Sequence, residues 1–235
     1  MRKNKIKQMW QEGKYATLGW LSISHGFTAE IMARQNFDAL CVDMQHGTGE
    51  LNDVLPMLQA ISQPDTVPIV RVAWNEPAAI MKALDLGAYG IIVPLINNAE
   101  EAAAAVAACR YPPHGIRSSG PVRAMHYGGG NYFDYANDEI IVMAMIETKE
   151  GIENLDAICA TPGLDAVYTR LRQLDPFHPI TMAIAGAGDA WRDTYLRGAD
   201  VIQPENYPSD PSTAYETVQV LSRFPFAQSF LRFVF

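Results

Sequence analysis

Three apolar segments of this chain end in residues whose side chains could carry chemistry. Asp43 and His46 follow one segment (FDALCV), Arg71 closes another (VPIVR), and Glu147 follows a third (IIVMAMI). The C-terminal ends of parallel strands open onto one face of an α/β protein, where residues far apart in sequence can meet. The pattern predicts an enzyme whose site combines a proton-transfer pair, a fixed cation and a carboxylate.

Asp43 and His46 have the spacing of an acid–base pair. A carboxylate that holds one imidazole nitrogen fixes the tautomer and raises the basicity of the other nitrogen, which makes a general base. The alternative is an aspartate that caps a loop beside an unrelated surface histidine. The position at a strand end, directly before Gly47, favours the general base.

Arg71 and Glu147 are charged residues in apolar surroundings. Burying a guanidinium costs several kcal/mol unless it meets an anion or a carbonyl. Arg71 is therefore either a clamp for a substrate oxyanion or carbonyl, or the partner of a carboxylate on a neighbouring strand. Glu147 is either a ligand of a divalent cation, which usually takes one or two carboxylates, or a helix cap or partner of Arg71.

Apolar runs that alternate with helical segments predict a parallel sheet closed into a (β/α)₈ barrel, as a single domain over residues 1–235. Eight strands are predicted, in residues 16–23, 37–44, 67–73, 89–96, 140–147, 164–169, 180–186 and 199–205. The segment between strands six and seven is shortened to RLRQLDPFHP, which is brief for a crossover. Residues 112–138, rich in glycine, are predicted to be one long loop without helix; as a lid it could supply a cation such as Arg117.

The composition and net charge argue against nucleic-acid-binding, membrane and secreted proteins. A net charge of −8 and a pI near 5.1 argue against nucleic-acid and anionic-membrane partners, which favour a basic surface. We expect no export signal, because the N-terminal segment is polar, and no membrane span. Three scattered cysteines are typical of reduced thiols in a cytoplasmic protein. The aromatic ending FPFAQSFLRFVF predicts burial against another subunit.

Several blocks, in order along the chain, resemble the HpcH/HpaI aldolase/citrate lyase family. They are VDMQHG, VPIVRV, GIIVPLI, YPPHGIRSSGPVRA, YGGGNYF, MAMIET, EGIENLDAICATPGLDAVY and ADVIQPEN. The resemblance covers residues 1–168 and, more weakly, 180–224. It implies a barrel of the phosphoenolpyruvate/pyruvate type and a metal-dependent class II aldolase, an aldehyde-lyase that reversibly cleaves 4-hydroxy-2-oxo acids to pyruvate and an aldehyde in aromatic or sugar-acid catabolism.

The resemblance also implies roles for single residues. His46, oriented by Asp43, matches the general base of the family, and Arg71 matches the arginine that binds the 2-oxo acid and stabilises its enolate. Glu147 matches one of two carboxylates on Mg²⁺, Mn²⁺ or Co²⁺. A cytoplasmic homo-oligomer built from dimers, up to a hexamer, is implied as well. No lysine stands at an obvious strand end for a Schiff base, which disfavours a class I mechanism.

The chain departs from the family pattern after Tyr168. The family continues there with a glycine-proline turn and the second metal-binding aspartate, whereas this chain has VYTRLRQLDPFHP, with Asp175 as a weak substitute. Gln45 and Met145 also replace a glutamate and a glutamine of other members. Three alternatives to the aldolase remain open: a catalytically impaired barrel that acts as a binding or assembly subunit, a citrate-lyase-β-like lyase of CoA thioesters, and a barrel isomerase of phosphate ligands.

Overall fold

The computed structural model of the chain describes residues 1–14, 16–62 and 65–169, together with residues 233–234; for residues 169, 233 and 234 it describes the backbone alone. These residues form a parallel sheet whose strands alternate with helices. The strands are β1 (Ala16–Leu21), β2 (Ala39–Asp43), β3 (Val67–Arg71), β4 (Gly90–Val93), β5 (Ile141–Ile146), β6 (Ala166–Thr169) and β7 (Phe233–Val234).

The sheet follows the order of the chain from β6 to β1 and then continues to β7. Every described pair of neighbouring strands is parallel. The sheet is curled. Its curl is shown by the ring of Trp20 on β1, which stacks on that of Tyr168 on β6 with centroids 6.1 Å apart, although four strands separate β1 from β6. The first six strands therefore form a parallel half-barrel.

Helices precede β1 and connect the strands from β1 to β6. Their bounds are α1 (Lys5–Gln11), α2 (Gly26–Ala33), α3 (Leu51–Ile61), α4 (Pro77–Asp85), α5 (Ala99–Cys109), α6 (Val122–Gly128), α7 (Tyr132–Glu139), α8 (Lys149–Glu153) and α9 (Leu155–Cys159). Local sequence explains their starts: Pro77 begins α4, and the side chain of Asn98 accepts from the Glu101 N–H to cap α5. None of the described helices is long and apolar enough to cross a membrane.

The core lies on both sides of the central strands. All residues of β2, β3, β4 and β5 are buried, including Asp43 and Arg71 at two strand ends. Burial on both faces is why these strands are continuous apolar runs and do not alternate with polar residues. The six strands predicted up to residue 169 are confirmed, with ends that differ by a few residues.

The prediction of one long loop over residues 112–138 was wrong. Two helices, α6 and α7, occupy most of it, and the adjacent glycines lie at their ends: Gly129 follows α6 with a φ of +100°. Arg117, the candidate lid cation, is buried and donates to the Asp85 carboxylate at 2.9 Å. Asp85 ends α4, at the side of the sheet where β4 begins, so Arg117 lies away from the strand ends that carry Arg71 and Glu147.

Several predicted features lie outside the described residues. They are strands seven and eight, the shortened segment between strands six and seven, and Asp175. The described residues thus show a curled half-barrel and not a closed barrel of eight strands. At the C-terminus, β7 pairs in parallel with Ala16 and Thr17, on the edge of β1 that faces away from β2.

Candidate active site

Asp43 and Arg71 form a buried ion pair at the C-terminal ends of β2 and β3. The strand register places them side by side. Arg71 Nε donates to Asp43 Oδ1 at 2.9 Å and Nη2 donates to Oδ2 at 2.5 Å, which is the bidentate geometry that an arginine fork favours. The predicted alternative of an ion pair with a neighbouring strand therefore exists in the structure. The ion pair with Asp43 uses only two of the five N–H groups of the guanidinium.

Two further side chains surround the guanidinium. The Cζ of Arg71 lies 4.8 Å from the centroid of the Trp20 ring, and the indole Nε1 of Trp20 donates to Asp43 Oδ2 at 3.0 Å. Arg71 Nη1 contacts the Met145 sulfur at 3.6 Å, and a thioether is a weak acceptor. Two of the five N–H groups, one on each terminal nitrogen, meet no acceptor among the described residues, so they can bind oxygens of an anionic ligand.

The Asp43 carboxylate remains ionised against the cost of burial. Desolvation is the largest influence and raises its pKa, but hydrogen bonds from Arg71 and Trp20 outweigh it, so the pKa lies below the usual value of an aspartate. The backbone N–H groups of Gln45 and His46 also donate to Oδ1, at 3.0 and 3.2 Å. Asp43 thus organises both the guanidinium and the loop after β2.

His46 donates a hydrogen bond to Asp43 from its backbone N–H. Among the described residues no hydrogen bond joins the Asp43 carboxylate to the His46 imidazole, and the imidazole is exposed. The expected direct pairing of carboxylate and imidazole is therefore replaced by an indirect one, because Arg71 and Trp20 occupy the carboxylate. Gly47 makes the loop possible, since a Cβ at this position would lie 2.1 Å from the backbone oxygen of Asp43.

Glu147 follows β5 and is half-buried. Its Oε2 accepts from the backbone N–H of Leu95 at 3.2 Å. Leu95 has a φ of +55°, in the left-handed region that residues other than glycine rarely adopt, and such strain is typical of functional sites. Glu147 is neither a helix cap nor the partner of Arg71, the two structural roles considered for it: the cap of α8 is Thr148, and the partner of Arg71 is Asp43.

Asn97 fixes the loop that supplies the Leu95 amide. Its Nδ2 donates to the Leu95 carbonyl at 2.9 Å, and its Oδ1 accepts a short hydrogen bond from the Thr148 hydroxyl. The loop after β4 and the residue after Glu147 are therefore held against each other. This network leaves Oε1 of Glu147 without a hydrogen bond from the described residues, so that oxygen can bind a ligand.

The described residues fit one half of a divalent metal site. Glu147 offers a half-buried carboxylate oxygen, which suits Mg²⁺ or Mn²⁺, and both ions complete their shell with water and substrate oxygens. Within residues 1–169, apart from the three undescribed positions, no group of three or more histidine, cysteine, aspartate or glutamate side chains could hold a metal. A second protein ligand such as Asp175 lies outside the described residues.

The sequence also matches a known family over this same region. The family model described as HpcH/HpaI aldolase/citrate lyase matches residues 17–170, which span β1 to β6 and all the site residues above. The chain belongs to this family. The resemblance found in the sequence is thereby confirmed.

Relatives in the HpcH/HpaI family are similar over about 70% of the chain. A hydroxypyruvate/pyruvate aldolase of Rhizorhabdus wittichii is 43% identical over 166 residues, 70% of this chain and 66% of its own length. A 4-hydroxy-2-oxo-heptane-1,7-dioate aldolase of Salmonella heidelberg is 39% identical over 169 residues, 71% of this chain and 64% of its own. This chain thus spans just under two thirds of the length of these relatives.

A solved structure supports the fold. An HpcH/HpaI aldolase/citrate lyase family protein of Burkholderia cenocepacia J2315 superposes with a TM-score of 0.68 at 28% identity, covering 97% of this chain and 83% of the other. The parallel α/β architecture is therefore that of the family.

Two residues of the site were missed by sequence reasoning. Trp20 lies in β1, and the signal that could have found it was a large aromatic residue carrying an N–H next to the last residue of the strand. Leu95 contributes only its backbone amide, and no residue type signals that role.

Proposed function

We propose that this chain is a divalent-metal-dependent class II aldolase, a carbon–carbon lyase that reversibly cleaves a 4-hydroxy-2-oxo acid to pyruvate and an aldehyde. The proposal rests on one observation above all. The chain positions the cation Arg71, the loop of His46 and the carboxylate Glu147 at the C-terminal ends of β3, β2 and β5, which all open on one face of the curled sheet. Relatives named as aldolases, 43% and 39% identical over this region, support the assignment.

The chemistry requires a base, an oxyanion partner and a cation. We assign His46 to remove the proton of the C4 hydroxyl, after which the bond between C3 and C4 breaks and the aldehyde leaves. The two free N–H groups of Arg71 bind the oxygens of the 2-oxo acid and stabilise the negative charge of the enolate. Protonation at C3 then gives pyruvate, and the reverse sequence forms the carbon–carbon bond.

Glu147 is the residue we assign to hold the divalent cation, Mg²⁺, Mn²⁺ or Co²⁺, through its Oε1. Such a cation, when bound, acts as a Lewis acid toward a carbonyl oxygen. The Leu95 amide on Oε2 fixes the direction of the carboxylate before a ligand arrives. Asp175 remains a proposed second ligand on sequence grounds alone.

The assay that tests the proposal is release of pyruvate from 4-hydroxy-2-oxo acids of several chain lengths. We expect release with added Mn²⁺, little release with a chelator, and recovery when the metal is returned. Glu147→Ala should abolish both release and recovery, whereas Glu150→Ala, an exposed carboxylate three residues away, should behave as wild type. A folded protein that releases no pyruvate with any of the three metals would contradict the aldolase.

A second candidate is a barrel that binds ligands or assembles with partners but does not catalyse. The observation that favours it is that no group of three or more potential metal ligands occurs in the part of the chain that the structure describes. Metal affinity separates the two functions, because such a subunit should bind Mn²⁺ no more tightly than its own Glu147→Ala variant. The CoA-thioester lyase predicts instead that acyl-CoA substrates, and not 4-hydroxy-2-oxo acids, are cleaved.

We further propose a single (β/α)₈ barrel domain that works as a cytoplasmic homo-oligomer. The curl of the six strands supports closure, since Trp20, Arg71 and Met145 come from the odd strands β1, β3 and β5 and meet inside, as alternate strands do in barrels. Size-exclusion chromatography with light scattering would give the subunit number.

The state of the cysteines supports the proposed cytoplasmic location. The three cysteines are free thiols, and burial raises the pKa of Cys109 and Cys159 to about 12, which suits unreactive thiols.

A further inference from the structure

Trp20 contacts both members of the buried ion pair. Its indole N–H donates to the same Asp43 oxygen that accepts from Arg71 Nη2, and its ring lies 4.8 Å from the guanidinium carbon. The Trp20 ring also stacks on the ring of Tyr168, with centroids 6.1 Å apart. A side chain from β1 thus joins residues of β2, β3 and β6.

These contacts restrict the guanidinium in a way that Asp43 alone does not. The bidentate pair fixes one edge of the planar group in line with the carboxylate, but it resists tilting about that edge only weakly. An aromatic face against the group opposes the tilt, and cation–π attraction stabilises the contact. The third neighbour, the Met145 sulfur at Nη1, is too weak an acceptor to orient the group.

We infer that Trp20 is the positioning residue for Arg71: it sets the tilt of the guanidinium, so that the two N–H groups left free by Asp43 and Met145 meet the oxygens of the 2-oxo acid. Trp20 acts through Arg71 and Asp43 and need not touch the substrate. The inference rests on the proposed function, in which Arg71 binds the 2-oxo acid.

Two substitutions divide the contribution of Trp20. Trp20→Phe keeps an aromatic face and loses the N–H, whereas Trp20→Leu loses both. We expect the KM for the 4-hydroxy-2-oxo acid and the inhibition constant of pyruvate to rise roughly tenfold in Trp20→Phe and roughly 50-fold in Trp20→Leu, since hydrogen bonds to charged groups and cation–π contacts are each worth on the order of a tenfold factor or more. Trp74→Phe is the matched control, because Trp74 is an exposed indole of the β3–α4 loop.

The inhibition constant of pyruvate is the deciding quantity, because it does not depend on the fraction of protein that is folded. A tryptophan that only fills space would lower the melting temperature and the total activity, and would leave that constant unchanged. Unchanged constants in Trp20→Leu, beside a large rise in Arg71→Lys, would overturn the inference and leave the aldolase intact. A wild-type protein that neither releases nor binds pyruvate would remove the proposed function, and this inference with it.

Discussion

At the scale of single residues, the site is built around one carboxylate with many partners. Asp43 accepts hydrogen bonds from Arg71, Trp20 and the backbone of residues 45 and 46. A carboxylate with so many donors cannot also orient an imidazole through a side-chain contact. We therefore expect His46 to depend on Asp43 for the shape of its loop, and the two residues to differ in their effects on stability and on rate.

Substitutions of His46 and of Glu147 should have different effects on the rate of pyruvate release and on Mn²⁺ affinity. In His46→Ala we expect the rate of pyruvate release to fall by about 10²- to 10⁴-fold, the range for loss of a general base, while Mn²⁺ affinity stays that of wild type. In Glu147→Ala both should be lost. Manganese binding followed by electron paramagnetic resonance, beside the kinetic assay, measures the two effects.

His114→Ala is the control for His46, since His114 is an exposed histidine beyond α5, at the opposite side of the sheet. It should match wild type in both measurements. Equal rates in His46→Ala and wild type would mean that the base is another group.

Asp43→Asn should destabilise the protein in a pH-dependent way. The loss at pH 7 should be about 3 kcal/mol, because the buried Arg71 cation loses its anionic partner. The pKa of Asp43 is lowered in the folded state, so its stabilisation is fully present above the unfolded value of about 3.9 and is lost as the pH falls through the folded pKa. Urea unfolding should therefore give a smaller difference between wild type and Asp43→Asn near pH 3 than at pH 7.

Asp65→Asn changes the same group at an exposed position and should leave the free energy of unfolding nearly unchanged at both pH values. A difference between wild type and Asp43→Asn that stays constant down to pH 3 would show that the ionised carboxylate is not what stabilises the pair.

At the scale of elements, two short loops position two of the proposed site residues: the loop after β2 carries His46, and the loop after β4 supplies the amide that donates to Glu147. The loop after β2 is fixed by Asp43 and by the Thr48 N–H, which donates to the Ser22 carbonyl in the loop after β1. The loop after β4 is fixed by Asn97 and turns at Leu95. Each loop has a hydrogen bond to a neighbouring β–α unit, which suits a site that must be positioned before substrate binds.

Gly47→Ala tests the loop that carries His46. The new Cβ would lie 2.1 Å from the Asp43 backbone oxygen and 3.3 Å from that of Ser22, so the loop must shift. We expect a loss of pyruvate release of about 10²-fold, because small misplacements of a catalytic group have effects of that size. Mn²⁺ affinity should remain that of wild type.

Gly130→Ala introduces the same methyl group where no atom lies within 4 Å, and it should be neutral. Full activity in Gly47→Ala would show that the observed loop conformation is not the one in which His46 acts.

At the scale of the whole molecule, a second buried arginine serves the fold and not the site. Arg117 is 1% exposed; it donates to Asp85 at 2.9 Å and to the Tyr132 hydroxyl at 3.0 Å, and it lies over the Tyr111 ring. It joins α4 to α7 and to the segment before α6. Its Nε has no hydrogen-bond acceptor among the described residues, but both terminal nitrogens are paired inside the fold, so we interpret Arg117 as a structural residue, although its sequence context suggested a lid.

Arg117→Met should destabilise the protein without changing the site. We expect a loss of about 3 kcal/mol from the broken buried pair, which corresponds to a fall of about 6–12 °C in melting temperature for a domain of this size. The inhibition constant of pyruvate should not change. Arg34→Met, which removes an exposed arginine paired with Glu30, should lower the melting temperature by no more than about 2 °C. A raised inhibition constant of pyruvate in Arg117→Met would instead support the hypothesis that Arg117 supplies a cation to the site from a lid.

Sequence patterns alone predict the family, the parallel α/β class, the six described strands of the half-barrel and the positions of Asp43, Arg71 and Glu147 at strand ends. These features follow from local patterns: strands buried on both faces are apolar runs, and a charge at the end of such a run is conspicuous. The helices within residues 112–138 were not predicted, because glycine content signals turns but does not exclude helices between them.

The three-dimensional structure was needed to show which groups share the Asp43 carboxylate, that the Trp20 ring lies against Arg71, and that the Leu95 amide donates to Glu147. The sequence left open whether Arg71 pairs with a carboxylate of a neighbouring strand or with Glu147, and the structure shows Asp43, which the β2–β3 register places directly beside Arg71. The contact of Trp20 with Tyr168 depends on the curl of the sheet, and that curl is a property of six strands together. Residues separated by more than 100 positions meet only after the whole sheet has formed, so no local pattern can report them.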